Sequence, residues 1–249
     1  MVRINDKVIL IDSGGSASLN SNYDVGENVT LPYILNKKVL SLDYIMVSHF
    51  DADHVEGFIA VLNAIKVKNI ILSKQPKETE LYKKVIDIAN KKRINLIYVK
   101  QGDILNIDKL KFIILAPDDN FIGDQDLNNN AIVCKMVYNS FSMLFTGDIE
   151  DKGEKKLVSS LSNNAILKST ILKVGHHGSK TSTTDEFLEL VSPSIALIGV
   201  GEENKFGHPN DKVIKKLKDK NIRIYRTDIS GEIMINVSKN GDIKIKTKL

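Results

Sequence analysis

The chain has 249 residues, 42% of them hydrophobic and 27% charged, with 35 Lys and Arg against 31 Asp and Glu for a net charge of +4. This composition excludes a low-complexity or disulfide-stapled polypeptide and is ample for one large core or two smaller ones. The single cysteine, Cys134, leaves no intrachain disulfide partner and no cysteine cage for zinc, and no apolar run reaches the length a membrane span needs.

Met1 leads directly into strand-like residues, without a signal-peptide pattern. The mildly basic balance fits an anionic partner, yet the lysines are spread along the chain among Asn and Ile and read as compositional bias. The densest run, Lys83-Lys84 with Lys91-Lys92-Arg93, flanks a helical pattern and reads as a solvated face.

Strand-like and helix-like segments alternate, which predicts a layered α/β chain. Val8 to Ile11 form a short apolar strand stopped by Asp12-Ser13-Gly14-Gly15, and Leu42 to Ser48 form a second one. Val55, Phe58, Ile59, Leu62 and Ile65 recur at helical spacing, so a helix is predicted over residues 54–65. A strand at Ile70–Leu72, a helix over Glu78–Lys91, and strands at Leu96–Val99, Asp103–Ile107 and Leu110–Leu115 follow. Ile132–Tyr138 and Phe141–Phe145 straddle Asn139-Ser140 as a hairpin. A polar helix over Glu150–Leu161, strands at Ile171–Val174 and Ile195–Val200, a helix over Asp211–Lys218 capped at Asp211, and two or three final strands complete the chain. No long Gly/Ser/Pro linker divides it, so a single domain over 1–249 is expected.

The five histidines each lie just past an apolar strand-like run, beside Gly, Asp or another His. Ser48-His49-Phe50-Asp51-Ala52-Asp53-His54 packs four nitrogen and oxygen donors into six residues, a set suited to Zn, Mn or Fe. In an extended loop His49, Asp51 and Asp53 share one side while His54 turns with the helix, so one segment can feed two adjacent metals. A loop that merely caps the helix would account for Asp53 and leave the histidines unexplained. Thr146-Gly147-Asp148 delivers one carboxylate at a strand end, as a bridging ligand or as a cap for the helix near Glu150. Gly175-His176-His177-Gly178-Ser179 supplies another imidazole. Neighbours on an extended segment point apart, so one of its two histidines is expected to ligate.

His-x-Asp-x-Asp-His, then Thr-Gly-Asp, then His-His-Gly-Ser resembles the motif series of metallo-β-lactamase-fold hydrolases. In its details the chain is similar to the C-terminal hydrolase domain of ComEC-type DNA-uptake channel proteins of natural competence. The residues that carry the likeness are Ile9 to Gly15, Ser48 to His54, Asn128-Asn129-Asn130, Thr146 to Asp148, Lys173 to Ser182, Phe206-Gly207-His208-Pro209, and Tyr225 to Asp228 with Gly231. Asp51 replaces the second histidine of the usual motif, as in that subgroup. The Asn128–Asn130 region stands where β-lactamases place a further site-one histidine, and Ala131 where the subgroup often has Ser. Relatives also begin with a strand ahead of Ile9-Leu10-Ile11, so the chain is expected to be a fragment of a longer membrane protein or a shortened gene product.

The resemblance implies an α/β fold, the four-layer αββα sandwich of the metallo-β-lactamase type, lacking its first strand. It implies two divalent metal ions, Mn or Zn, with the second site less complete. Asp53, His54, Asp148 and one of His176 and His177, with His177 preferred, would hold one. His49, Asp51 and bridging Asp148 would hold the other. Divalent cations lower the pKa of water from about 16 toward roughly 7 and neutralise charge on a phosphoryl group, so no Ser or Cys nucleophile is needed. The implied catalytic residues are Asp53, His176 facing the substrate, and His208, which would contact the phosphate or protonate the leaving oxygen. Ser179, Ser182 and Asn130 would bind substrate, and Asp12 would orient the metal loop from behind.

Three functions compete: a metal-dependent DNase or phosphodiesterase acting on single-stranded or duplex DNA during uptake, a free-standing hydrolase of a small ester or lactam, and a catalytically silent DNA-binding module. A domain of the first kind would adjoin a membrane channel on the outer face of the cell membrane; a free-standing product would be cytoplasmic.

Overall fold

The computed structural model describes residues 1–15, 23–202 and 204–249. The chain divides into two compact units, Met1–Lys100 with Pro117–Ile132, and Gln101–Ala116 with Val133–Leu249.

The first unit is built on a five-stranded sheet: β1 (Val2–Ile4), β2 (Lys7–Ile11), β3 (Ser41–Met46), β4 (Lys66–Leu72) and β5 (Asn95–Tyr98), in that spatial order. Only the β1–β2 pair is antiparallel. Helices α1 (Leu31–Asn36), α2 (Ala52–Val55), α3 (Gly57–Ala64) and α4 (Glu80–Lys92) belong to this unit. The core gathers Leu42, Ile45 and Val47 with Phe58, Val61, Leu62 and Ile70, all essentially fully buried. β3 is buried nearly throughout, as parallel strands covered on both faces are, and its one carboxylate, Asp43, accepts from Val8 N and Lys68 Nζ.

The helix predicted over 54–65 starts earlier, at Ala52, and is interrupted at Glu56. The interruption has a tertiary cause: Gly57 N donates to Gly14 O at 3.0 Å instead of continuing the helical ladder. Gly15 makes this approach possible, since a Cβ there would lie 1.9 Å from Ala52 O. Asp53 consequently sits in the first turn of α2 and not in an extended loop. A π-helical turn at Gly26–Thr30 and α1 have no counterpart in the sequence reading.

The second unit carries a seven-stranded mixed sheet in the order β12-β11-β10-β9-β8-β7-β6. Its strands are β6 (Ile104–Ile107), β7 (Leu110–Ala116), β8 (Val133–Tyr138), β9 (Phe141–Phe145), β10 (Ile171–Lys173), β11 (Ile195–Ile198) and β12 (Arg223–Arg226). The pairs from β9 to β12 are parallel and the rest antiparallel. Helices α5 (Asp151–Ser160), α6 (Asp185–Val191), α7 (Asp211–Asp219) and α8 (Thr227–Ser230) belong here, with a separate hairpin of β13 (Glu232–Val237) and β14 (Ile243–Lys248). The cap of α7 is Asn210, whose side chain accepts from Lys212 N, not the expected Asp211. Among the described residues no helix is long and apolar enough to cross a membrane.

Candidate functional site

In the first unit the functional side chains stand at the carboxyl ends of the parallel strands, where the chain leaves the sheet and backbone groups are free to meet side chains. Asp12 follows β2 directly and adopts a left-handed φ of 50°. Its Oδ1 accepts from Ser48 N at 2.8 Å, and its Oδ2 accepts from Ser48 Oγ at 2.7 Å and lies 2.9 Å from His54 Nδ1. Burial pushes the Asp12 carboxyl up, but the hydrogen bonds from His54 and Ser48 outweigh it and leave its pKa below the usual carboxylate value. A carboxylate only accepts, so an N–H at His54 Nδ1 satisfies Asp12, while Nε2 on the other side of the ring lies 3.9 Å from Asp53 Oδ2.

His49 is fully buried after β3, its ring centroid 4.2 Å from that of His54 and its Nε2 3.6 Å from Asp51 Oδ2. Asp51 is the residue ahead of α2 and makes no side-chain cap there. Within this unit the structure therefore brings Asp12, His49, Asp51, Asp53 and His54 together. Asn130, expected to touch substrate, is 1% exposed with its amide committed: Oδ1 accepts from Ile122 N, and Nδ2 donates to Ile122 O and Asp126 O.

In the second unit Thr146 follows β9, and Gly147 (φ 52°) swings the chain so that Asp148 is buried with Oδ2 3.3 Å from His177 Nε2 and 4.0 Å from His176 Nε2. Asp148 does not cap α5, whose N-cap is Glu150. The Gly175–Gly178 segment is not extended: His176 (φ 44°) and His177 (φ 51°) are two consecutive left-handed residues in a tight turn. Non-glycine residues enter that region at a cost, and such strain is held where surrounding contacts over-determine it. Here His177 Nδ1 meets Gly199 O at 2.5 Å, while His176 Nδ1 meets Glu150 Oε1 at 3.1 Å. Gly178, at φ 82°, lies against Pro209, where a Cβ would come within 2.6 Å.

That contact carries His208 to the same place, its ring 5.5 Å from that of His176 and stacked on Phe206. Asn204 fixes the His208 backbone, accepting from His208 N and donating to His208 O. Burial lowers the His208 pKa below the ordinary imidazole value, His176 and His177 lower it further, and Asp148 opposes them. Ser179 is buried with Oγ 2.8 Å from Thr181 Oγ1, and Ser182 Oγ donates to Gly175 O at 2.8 Å, closing the turn from beneath.

Several supports escaped the sequence reading. Ser48 bridges Asp12 and His49, its Oγ lying 3.0 Å from His49 Nδ1. Glu150 accepts from Thr181 Oγ1 as well as facing His176. Glu154, 1% exposed, accepts from Thr183 N and Thr184 N and ties the loop after the histidines to α5. Thr227 exchanges hydrogen bonds with Val200 at 2.7 Å, pinning the backbone next to the carbonyl that holds His177. Ser48 and Thr227 lie in segments the sequence resemblance had marked, whereas Glu150 and Glu154 do not.

The profile of the metallo-beta-lactamase superfamily matches residues 1–202. The chain belongs to the metallo-β-lactamase superfamily. A solved structure with the same fold, the metallo-beta-lactamase fold protein YhfI from Bacillus subtilis, superposes with a TM-score of 0.52 over 97% of this chain and 89% of that one, at 12% identity. Among curated proteins this superfamily member is 34% identical over 237 residues to ComE operon protein 3 of Bacillus subtilis (strain 168), covering 90% of this chain and 29% of that protein. It is 30% identical over 242 residues to Competence protein ComA of Neisseria gonorrhoeae, covering 97% and 31%. The chain thus spans about three-tenths of the length of these relatives and resembles the ComEC-type competence proteins its motifs pointed to.

The donor set fits the divalent metal that the superfamily implies. Imidazoles and carboxylates are ligands for Zn, Mn and Fe, and metal-bound histidines characteristically give their second ring nitrogen to a carboxylate or backbone carbonyl. His54 does so to Asp12, and His177 to Gly199 O.

Proposed function

We propose that the chain is a metal-dependent phosphodiesterase acting on DNA, the hydrolase domain of a competence-type uptake protein. In this reading Asp53, His54, Asp148 and His177, the set that the family resemblance implies, are the ligands of one Mn or Zn ion. His49 and Asp51, with Asp148 bridging, serve a second. The observation that carries the reading is the paired fixing of His54 by Asp12 and of His177 by Gly199 O, which presents Nε2 of each ring as a ligand. When bound, the metal supplies Lewis acidity and acidifies water, and so provides a nucleophile without Ser or Cys.

The remaining roles fall to the chain itself. His176, held by Glu150, faces the substrate, and His208 contacts the phosphate or gives a proton to the leaving oxygen. Ser179 stays a candidate phosphate contact. Ser182 and Asn130 are better read as supports, because their polar atoms are spent on neighbouring backbone. The superfamily match over residues 1–202 draws on both units and supports reading the 249 residues as one domain. DNA and an adjoining channel domain are the partners this reading proposes, supported by the competence relatives.

The test is incubation of single-stranded and plasmid DNA with the full chain in Mn²⁺, Zn²⁺ or chelator, beside a chromogenic phosphodiester. Metal-dependent DNA cleavage is expected. DNA left intact under every metal rejects the nuclease reading, and cleavage of the chromogenic ester alone points to a small-ester hydrolase.

A further inference from the structure

Residues 211–249 hold 11 Lys and Arg against 5 Asp and Glu, whereas the whole chain holds 35 against 31. The positive excess of this protein is therefore a property of its last 39 residues, beyond the stretch matched by the superfamily profile. The lysines that looked dispersed in sequence are ordered by the β13–β14 hairpin. Its register sets Met234 opposite Lys246, Asn236 opposite Lys244 and Glu232 opposite Lys248, so all six share one face. The other face is Ile233, Ile235, Val237, Ile243 and Ile245, each partly buried.

The outer face thus presents Lys244, Lys246 and Lys248 in a row, all exposed, with Met234 and Asn236 beside the first two and one carboxylate, Glu232, opposite Lys248. Among the described residues the ion pairs made after residue 211 involve Lys215, Lys216, Lys220 and Arg226, and none of these three lysines. The hairpin is also held in place, because Asn139 Nδ2 donates to Lys239 O and Ser140 Oγ to Asn240 O, and Gly231 bridges to Lys248. Alternate residues on a strand stand about 6.8 Å apart, about twice the roughly 3.4 Å axial rise per phosphate on one strand of duplex DNA.

We infer that the Lys244–Lys246–Lys248 face of the C-terminal hairpin is a docking strip for the phosphate backbone of a nucleic-acid strand. The inference rests on the DNA-directed reading of the site and adds to it a surface that binds without reading sequence. Edge strands are also blunted by lysines simply to prevent self-association, and the experiment separates the two roles.

Binding of the full chain to a fluorescein-labelled single-stranded phosphorothioate oligonucleotide, which resists hydrolysis and keeps its backbone charges, is measured across a salt series. Replacing the lysines together (Lys244→Gln, Lys246→Gln, Lys248→Gln) is expected to weaken binding roughly tenfold or more near 0.1 M salt and to reduce the slope of log affinity against log salt by about 2. The matching triple Lys→Arg variant keeps the native slope and shows that charge, not strand integrity, is read. Cleavage of a small chromogenic phosphodiester stays native in both, so this inference fails or stands separately from the nuclease reading. An unchanged slope, a change in oligomeric state alone, or loss of binding to anionic phosphatidylserine vesicles with oligonucleotide binding intact would each overturn it.

Discussion

Asp12 Oδ2 lies 2.9 Å from His54 Nδ1, and the same carboxylate holds Ser48 through both its backbone N–H and its hydroxyl. One residue just after β2 thereby favours an N–H at Nδ1 of a histidine 42 positions away and holds the path of the loop between them. Asp12→Asn keeps a side chain that tolerates the left-handed backbone but removes the anion facing His54. Metal affinity is expected to fall about 10- to 100-fold while the fold survives. Titration of the metal-free chain by calorimetry reads this directly; an unchanged affinity would show that Asp12 only shapes the loop.

Gly15 is predicted to be intolerant of any side chain. A Cβ would stand 1.9 Å from Ala52 O and 2.9 Å from Glu56 Cβ, and both atoms belong to the segment that carries Asp53 and His54. Gly15→Ala should cost about 1–3 kcal/mol, the range for forced overpacking. Thermal unfolding measures it, and a native melting temperature would mean that the close approach is not kept in solution.

Asp43 gives the first unit a defined acid sensitivity. Burial raises its carboxyl, but hydrogen bonds from Lys68 and Val8 N prevail, so its folded pKa lies below the ordinary value. Its contribution is present above the unfolded pKa of about 3.9 and is lost as pH falls through the lower folded value. Asp43→Asn should be less stable than the native chain by about 1–3 kcal/mol at neutral pH. That gap should hold to about pH 5 and close below about pH 4. Urea unfolding at a series of pH values tests this, and a gap that widens in acid contradicts it.

His208 can be separated from the metal ligands by choice of leaving group. If it protonates the departing oxygen, His208→Gln should lower turnover of DNA roughly 10²- to 10⁴-fold. A p-nitrophenyl phosphodiester, whose leaving group needs no proton, should be cleaved at close to the native rate. Equal losses on both substrates would assign His208 to phosphate binding instead.

What the sequence disclosed and what it hid follow from the range of the interactions concerned. The strand-end clusters were legible because His49 to His54 and Thr146 to Asp148 are contiguous and follow obvious apolar strands. The Asn139-Ser140 hairpin was legible for the same reason, and Asn139 takes the left-handed φ of 51° that such a turn demands. The interruption at Glu56 was not, because it depends on Gly14 O, more than 40 residues upstream. Neither were the supports Ser48, Glu150 and Glu154, whose acceptors and donors come together only in the fold. The 176–177 pair was misread in its backbone: an extended strand end was expected, and a left-handed turn braced by Glu150 and Gly199 was found. The lysine row failed to appear in one dimension because strand register, not sequence density, aligns it.

The measurement that bears most directly on the central claim is metal loading followed in parallel with DNA cleavage, for the native chain and for Asp148→Ala. Cleavage of single-stranded DNA should rise with Mn²⁺ or Zn²⁺ occupancy in the native chain and vanish with chelator. In Asp148→Ala both occupancy and cleavage should collapse while the circular dichroism spectrum stays native. Cleavage that persists in Asp148→Ala or in chelator, or a fully metal-loaded native chain that leaves DNA and phosphodiesters intact, would contradict the account.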